Sequence, residues 1–425
     1  MKKYFYDIHC HAMNMSHPNF LAFTKRFETG LYKGADKFLK KNRFKTFFGV
    51  NFLMFYFMFF KKFNSENLSA LLKKVGLGDY PDRAKNLIAL MENDTGNFFI
   101  LMEDCLVNHI MKNGKIMVGH TSYDKVLLTP LIMDFGSTKS AYSNIHYNKK
   151  PVSKPIGEQI IDLFNGIHNY NCKSSYKIFE IYPFIGINTK NYSMEQLCEM
   201  LKTSFNNFDG TYKTLSSAAK EVDSHNSESH TYAGVKVYPP LGFDPWPDET
   251  KELEKVMFLY EFCQSRHIPI TCHCSDEGFF VVDDEDLERF TSPSSWGKVL
   301  RNYPMLKLNL AHFGKQENSN RWEKGVIELI KAYDNVYTDI SHRGFDDAFY
   351  KSLKNTIRSF DDKALVQKMK KRILFGSDFM INLFKIDSYC KYYDVFISTK
   401  HFTTHEKEGF CCSNPQSFLF GKTHT

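Results

Sequence analysis

The sequence predicts an α/β fold, and within that class a (β/α)8 TIM barrel with a large insertion between its first and second strands. Three observations carry this expectation. Short apolar segments rich in Val, Ile, Leu and Phe recur along the chain, as β-strands do. Stretches with helical periodicity separate most of them. Histidines, carboxylates and a lysine collect at the ends of those segments, where barrels of this kind place their functional groups.

The strand-like segments are Tyr4–His11, Lys125–Phe135, Ile178–Ile185, Ala233–Tyr238, Ile268–Cys274, Leu306–Ala311, Asn335–Ser341 and Arg372–Asp378. Between them, Glu249–Arg266 sets Leu253, Val256, Met257, Tyr260 and Cys263 at spacings of three and four, the mark of one helical face. Arg321–Tyr333 does the same with Val326, Ile327 and Ile330, and Ser294–Asn302 and Leu365–Lys371 are shorter helical stretches. Repeated strand–helix alternation implies a parallel sheet covered by helices, and eight strands favour closure over an open sheet.

Two gaps exceed a simple crossover. The first, residues 12–124, is read as an insertion or lid, with a Phe-rich run, a helical stretch near Leu68–Val75, and Ile88–Met91. The second is polar, and Ser137–Asn148 and Asn165–Tyr176 read as loops. One domain over residues 1–425 is the expected organisation.

Composition narrows the function classes. The chain has 425 residues, 43% of them hydrophobic, and 55 basic against 48 acidic side chains for a net charge of +7. Charges of both signs are interspersed, so a nucleic-acid partner is not expected. Phe47–Phe60 is the most apolar run, and it is shorter than the roughly 20 residues of a spanning helix. Stable membrane insertion is therefore not expected, although apolar surface there leaves a homo-oligomer open. The ten cysteines show no Cys-x-x-Cys spacing, and the chain enters its first strand without a secretory signal. Reduced thiols and a cytoplasmic protein follow as expectations.

The first strand ends in Asp7-Ile8-His9-Cys10-His11. Alternate strand residues share a face, so His9 and His11 project together, about 6–7 Å apart by the strand rise, and can share a metal ion. Later strands end in or carry Lys236, His273, His312, Asp339 and Asp378. For His273 or His312 taken singly, a hydrogen-bonded core histidine is the plain alternative. The set as a whole points to a site. By alternation Cys10, Cys272 and Cys274 face away from it, as packing residues. The run Asp283–Asp286 reads as a solvated turn or helix start, and Glu277, close after His273, stays open as a partner behind it, with nothing specific to support that role.

Asp-x-His-x-His at the start, the strand-five His273, His312 before Gly314, Gly376-Ser377-Asp378, and Asn414-Pro415 with Leu419-Phe420-Gly421 together resemble the amidohydrolase superfamily. More narrowly, they are similar to its amidohydrolase-related branch, which includes metal-dependent hydrolases and decarboxylases. The likeness is specific from about Ala233 onward. It implies a (β/α)8 barrel and a divalent metal held by His9, His11, His273 and Asp378. Three imidazoles and a carboxylate suit Zn²⁺, with Mn²⁺, Fe²⁺ or Ni²⁺ as alternatives. Such an ion brings the pKa of water to about 7, and Asp378 is then the expected general base. His312 would polarise the substrate oxygen or bind a second metal.

Lys236 bears on whether one or two ions are held. In binuclear relatives a strand-four lysine is carboxylated and bridges two ions, whereas a free ammonium has only donors. A carboxylated bridge, a substrate-binding cation, and an ion pair with Asp134 or Asp339 all stay open. Arg343, Tyr238 and His342 lie at the mouth and are the candidates for binding a small-molecule substrate, Arg343 through its bidentate fork. The function expected is metal-dependent hydrolysis of a C–N, C–O or P–O bond in a small polar substrate. Decarboxylation of an aromatic or unsaturated carboxylate, and a non-catalytic barrel protein, are the rivals.

Overall fold

The computed structural model describes residues 3–14, 80–135, 155–206, 208–220, 232–278, 280 and 282–421. The Phe47–Phe60 run, Leu68–Val75 and Ser137–Asn148 lie outside these residues.

The strands in chain order are Tyr4–Cys10 (β1), Met111–Lys112 (β2), Lys115–Val118 (β3), Thr121–Tyr123 (β4), Lys125–Pro130 (β5), Phe179–Ile181 (β6), Phe184–Gly186 (β7), Gly234–Val237 (β8), Ile270–Cys272 (β9), Leu308–Leu310 (β10), Val336–Asp339 (β11) and Ile373–Leu374 (β12). Two parallel sheets run in the orders β1-β5-β6 and β12-β11-β10-β9-β8-β7. All of the expected strand segments are present. The third is split into β6 and β7 at Tyr182-Pro183, where proline has no N–H for the ladder. The fold is α/β, and the helices expected between strands are found at Thr250–Ser265, Pro293–Asn302, Arg321–Ala332 and Lys363–Lys370. Arg321–Ala332 shows why: Trp322, Val326, Ile327 and Ile330 form its buried face.

Backbone hydrogen bonds join the two sheets at two places. Between β1 and the end of β12, the Ile8 N–H donates to Phe375 O at 3.2 Å and the Asp378 N–H to His9 O at 2.7 Å. Between the end of β5, the middle strand of its sheet, and β7 of the other, the Ile132 N–H donates to Phe184 O at 3.1 Å. The first seam sets residue 9 beside residue 378. Phe5 packs under it, its ring 4.9–5.7 Å from those of Tyr393, Phe375 and Tyr123, within the range where aromatic pairs attract. Buried Asp7 fastens it further: Oδ1 accepts the Ser377 N–H at 2.9 Å and Oδ2 the Tyr389 hydroxyl at 3.1 Å. Burial still pushes the Asp7 carboxyl up to about 6. Gly376 is required by closeness, since a Cβ there would stand 2.6 Å from His9 Cβ.

Three readings of the sequence are corrected. Asn165–Tyr176 is largely helix, the last turns of Pro155–Lys173. Leu163, Phe164, Ile167 and Tyr170 make its inward face, an i, i+4, i+7 pattern obscured by the intervening Asn and Gly residues. The residues before β5 carry more structure than expected: helices Tyr80–Met91 and Thr95–His109 and the antiparallel sheet β2-β3-β4. Its Asn113-Gly114 turn, with φ of 51° and 71°, is a hairpin signal legible in the sequence. Finally, the thiols are not all reduced. Cys105 and Cys390 form a disulfide, with Cα atoms 5.8 Å apart across 285 residues of sequence. No local motif marks such a pair; packing of helix Thr95–His109 against Tyr389–Ser398 makes it.

Among the described residues no helix is long and apolar enough to cross a membrane. With one disulfide and the remaining cysteines free, thiol titration of the unfolded, unreduced chain is expected to give eight free thiols from ten cysteines. A count of ten contradicts the disulfide.

Candidate metal centre

The strand ends bring buried His9, His11, His273, His312, Lys236, Asp339 and Asp378 and half-buried His342 into one cluster. Ligand atoms of His9, His312 and Asp378 all lie within 4.8 Å of one another. His9 Nε2 and His11 Nε2 are each 3.3 Å from Asp378 Oδ1. His273 is one step removed, its Nδ1 3.2 Å from His312 Nε2. The structure thus groups His312 with His9 and Asp378, beside the His9, His11, His273 and Asp378 that the resemblance implies as ligands.

The outer nitrogen of every one of these four rings is tied to oxygen. His9 Nδ1 donates to Asp339 Oδ2 at 3.0 Å. His11 Nδ1 donates to Leu131 O at 3.0 Å, and His312 Nδ1 to Ser341 O at 3.1 Å. His273 Nε2 donates to Ser275 O at 3.1 Å and Glu277 O at 3.0 Å. A carbonyl or carboxylate oxygen only accepts, so the facing ring nitrogen carries the proton. In neutral rings the inner nitrogens then hold lone pairs. Those lone pairs meet the Asp378 carboxylate and, between His273 and His312, each other. Such an arrangement is repulsive unless positive charge lies among the atoms, so the donor set fits a divalent cation. Outward tethering of ligand histidines by carboxylate or carbonyl is also how metal sites orient their rings.

The electrostatics agree. Burial pushes His312 down to about 3 and lowers His11 and His273, which keeps these rings neutral. Burial opposes protonation of His9 too, but the charge and hydrogen bond of Asp339, with Asp378 alongside, outweigh it and raise its pKa. His9 therefore sits where positive charge is favoured, as a proton or as an ion. Asp378 is held well below the usual carboxylate range: burial acts against this, and its contacts to His11, His342 and His9 prevail.

Backbone conformation points to the same strand ends. His312, Phe313, His342 and Asp378 adopt φ of 61°, 52°, 53° and 57°, the left-handed region that costs an L-residue about 1–2 kcal/mol. Such strain gathers at functional sites.

The other expected residues are placed as follows. Lys236 is buried on β8, and its Nζ has no hydrogen-bond partner among the described residues. Burial draws its pKa down to about 8. Tyr238 packs against His273, ring centroids 4.6 Å apart and planes tilted by 38°. His342 Nδ1 lies 3.0 Å from Asp378 Oδ2. Arg343 spends its fork on Glu323 and the His312 carbonyl, both at 3.3 Å, so these partners compete with any substrate anion. A cavity beside His11 is lined by Met13, Leu131, Met133, Gln159 and Leu163.

The residue that sequence reasoning undervalued is Asp339. Besides His9 it accepts the His312 N–H at 3.0 Å and the Asn309 side-chain amide at 2.7 Å, and so orients two of the three residues in the closest group. Its place at a strand end was the available signal. Asp339→Asn removes the charge behind His9 and is expected to weaken divalent-metal affinity about 10–100-fold, measured by chelator competition. Unchanged affinity contradicts this role.

Comparison with known proteins follows the geometry. A family model described as amidohydrolase matches residues 215–421. No curated protein matches the chain. Similar solved structures include a probable 2-pyrone-4,6-dicarboxylic acid hydrolase from Acinetobacter baumannii with citric acid bound, at 10% identity, covering 98% of this chain and 99% of that one, TM-score 0.43. A putative metal-dependent hydrolase from Lactobacillus casei is similar at 15% identity, covering 98% and 95%, TM-score 0.38. An amidohydrolase from Burkholderia multivorans with bound zinc is similar at 14% identity, covering 50% and 70%, TM-score 0.30. Over residues 215–421, which carry Lys236, His273, His312, His342 and Asp378, the chain matches the amidohydrolase family, whose members are metal-dependent hydrolases and related decarboxylases.

Proposed function

We propose that this chain is a metal-dependent hydrolase that adds water across a C–N, C–O or P–O bond of a small polar substrate. The observation that carries the reading is that the inward nitrogens of His9 and His11 meet buried Asp378, with His312 grouped beside them and His273 facing His312. The architecture proposed with it is an eight-stranded barrel in a single domain over residues 1–425, which the two parallel sheets and the hydrogen bonds between them support. Residues 12–124 form the insertion, because β1 and β5 on either side of it are direct neighbours with Tyr4 opposite Lys125.

His9, His312 and Asp378 hold the ion, with His11 and His273 completing the nitrogen set. Imidazole and carboxylate donors of this kind suit Zn²⁺. A divalent ion bound there supplies Lewis acidity, polarising a carbonyl or phosphoryl oxygen and acidifying water. Asp378 is the general base: held ionised, it takes the proton from the attacking water and returns it to the leaving group. His312, kept neutral with Nδ1 on Ser341 O, contributes its other nitrogen to the ion. Tyr238 and His342 border the reacting centre and contact the substrate. Lys236 governs the ion count, since its unpartnered amine is a donor-only cation when protonated and offers oxygen ligands only if carboxylated.

Two measurements test this. Metal analysis of protein purified without chelator is expected to find at least one divalent ion per chain; none favours a non-catalytic barrel. In ¹⁸O-labelled water, a screen of lactones, amides and phosphoesters is expected to yield product carrying solvent oxygen. Asp378→Asn is expected to slow turnover by at least about 10²–10⁴-fold, the scale of a lost general base. Release of CO₂ without solvent oxygen in the product would sink hydrolysis in favour of decarboxylation.

A further inference from the structure

Ser341, two residues beyond Asp339 and just past β11, is completely buried. Its backbone is already engaged: the N–H donates to Asp339 Oδ1 at 3.1 Å, and the carbonyl accepts from His312 Nδ1 at 3.1 Å. Its hydroxyl has three further partners. Oγ donates to Asp339 Oδ1, and it lies 3.1 Å from His9 Nδ1 and 2.9 Å from His312 Nδ1. A hydroxyl has one hydrogen to give and two lone pairs. A carboxylate only accepts, so the hydrogen goes to Asp339. The two lone pairs are left for the two ring N–H groups. Each of these is shared between two acceptors, the second being Asp339 Oδ2 for His9 and Ser341 O for His312. Every hydrogen-bonding position of the hydroxyl is thus filled, by residues that are themselves buried.

We infer that Ser341 is a positioning residue shared by His9 and His312: its one hydroxyl ties the outer nitrogens of both rings to Asp339 and so fixes the rings relative to each other. The inference rests on the metal reading above. The two histidines come from strands that are not neighbours, because β12 and β11 stand between β1 and β10. No ladder bond sets one ring against the other. Ser341, at the exit of β11, supplies that link, and the rings stand with centroids 4.8 Å apart and planes at 45°. Turning either ring away from Oγ swings its Nε2 off the ion. Partners behind a ligand fix its orientation and so the affinity of the site. Here one side chain does this for two ligands at once.

Cobalt(II) titration tests the shared anchor, since the visible absorption of the bound ion reports the arrangement of its ligands. Ser341→Ala removes the hydroxyl and little volume. It is expected to weaken cobalt binding about 10–100-fold and to alter the absorption spectrum, while the circular dichroism of the fold is retained. Asp339 and Ser341 act as one unit, so the double variant Asp339→Asn, Ser341→Ala is expected to lose less affinity than the product of the two single losses. Wild-type affinity and spectrum in Ser341→Ala overturn the anchor, as do losses in the double variant that simply multiply. If Ser341→Ala does not fold, nuclear magnetic resonance of the zinc-loaded wild-type chain decides. The Nδ1 protons of His9 and His312 are each expected to show a nuclear Overhauser contact to the Ser341 Hβ protons, and a ring without that contact overturns the anchor. A wild-type chain that takes up no cobalt contradicts the metal reading itself, and the anchor with it. A wild-type chain that loads beside an unaffected Ser341→Ala removes the anchor alone.

Discussion

Each site histidine has its outer nitrogen fixed to an oxygen, and that tether determines everything the inner nitrogen can do. A free imidazole exchanges tautomers and rotates. Here Leu131 O, Ser341 O, Ser275 O and Asp339 Oδ2 choose the protonated nitrogen and aim the ring. Three of the four acceptors are backbone carbonyls just beyond parallel strands. The barrel-like arrangement thus supplies both the ligands and the groups that orient them. Burial then keeps most of the rings neutral, while Asp339 and Asp378 around His9 create a demand for positive charge.

That arrangement exists only because the chain's beginning is sewn to its end. β1 and the strand at Ile373–Leu374 share the bonds Ile8 to Phe375 and Asp378 to His9, and Asp7 ties down Ser377 from the same strand. Aromatic packing around Phe5 fills the space behind. Asp7 in the opening motif is therefore structural: it docks the strand whose histidines serve the site. Gly376 answers the same constraint, because His9 lies where its side chain would be.

Much of this was legible in the sequence, for physical reasons that differ by residue. Buried parallel strands are short β-branched runs, so their positions could be read directly, and strand ends told where chemistry would sit. His9, His11, His273, His312 and Asp378 were singled out by that rule together with the amidohydrolase resemblance, and the strand ends bring them together. What stayed hidden depends on distances that spacing does not encode. The rank of His312 over His273 around Asp378 follows from how adjacent strand exits turn, including the left-handed backbone at His312. The engagement of Arg343 with Glu323 joins a loop to a helix. The Cys105–Cys390 disulfide spans most of the chain. Helix Pro155–Lys173 was obscured because its apolar positions are interleaved with Asn, Gly and His.

The central claim is that the inward lone pairs of these histidines and Asp378 Oδ1 surround one divalent cation. Anomalous diffraction at the zinc edge, from crystals grown with zinc and without chelator, tests it most directly. The account requires a peak within bonding distance, about 2.0–2.2 Å, of His9 Nε2, His312 Nε2 and an Asp378 oxygen. A zinc-free cluster, or a peak bonded to other residues alone, would contradict it.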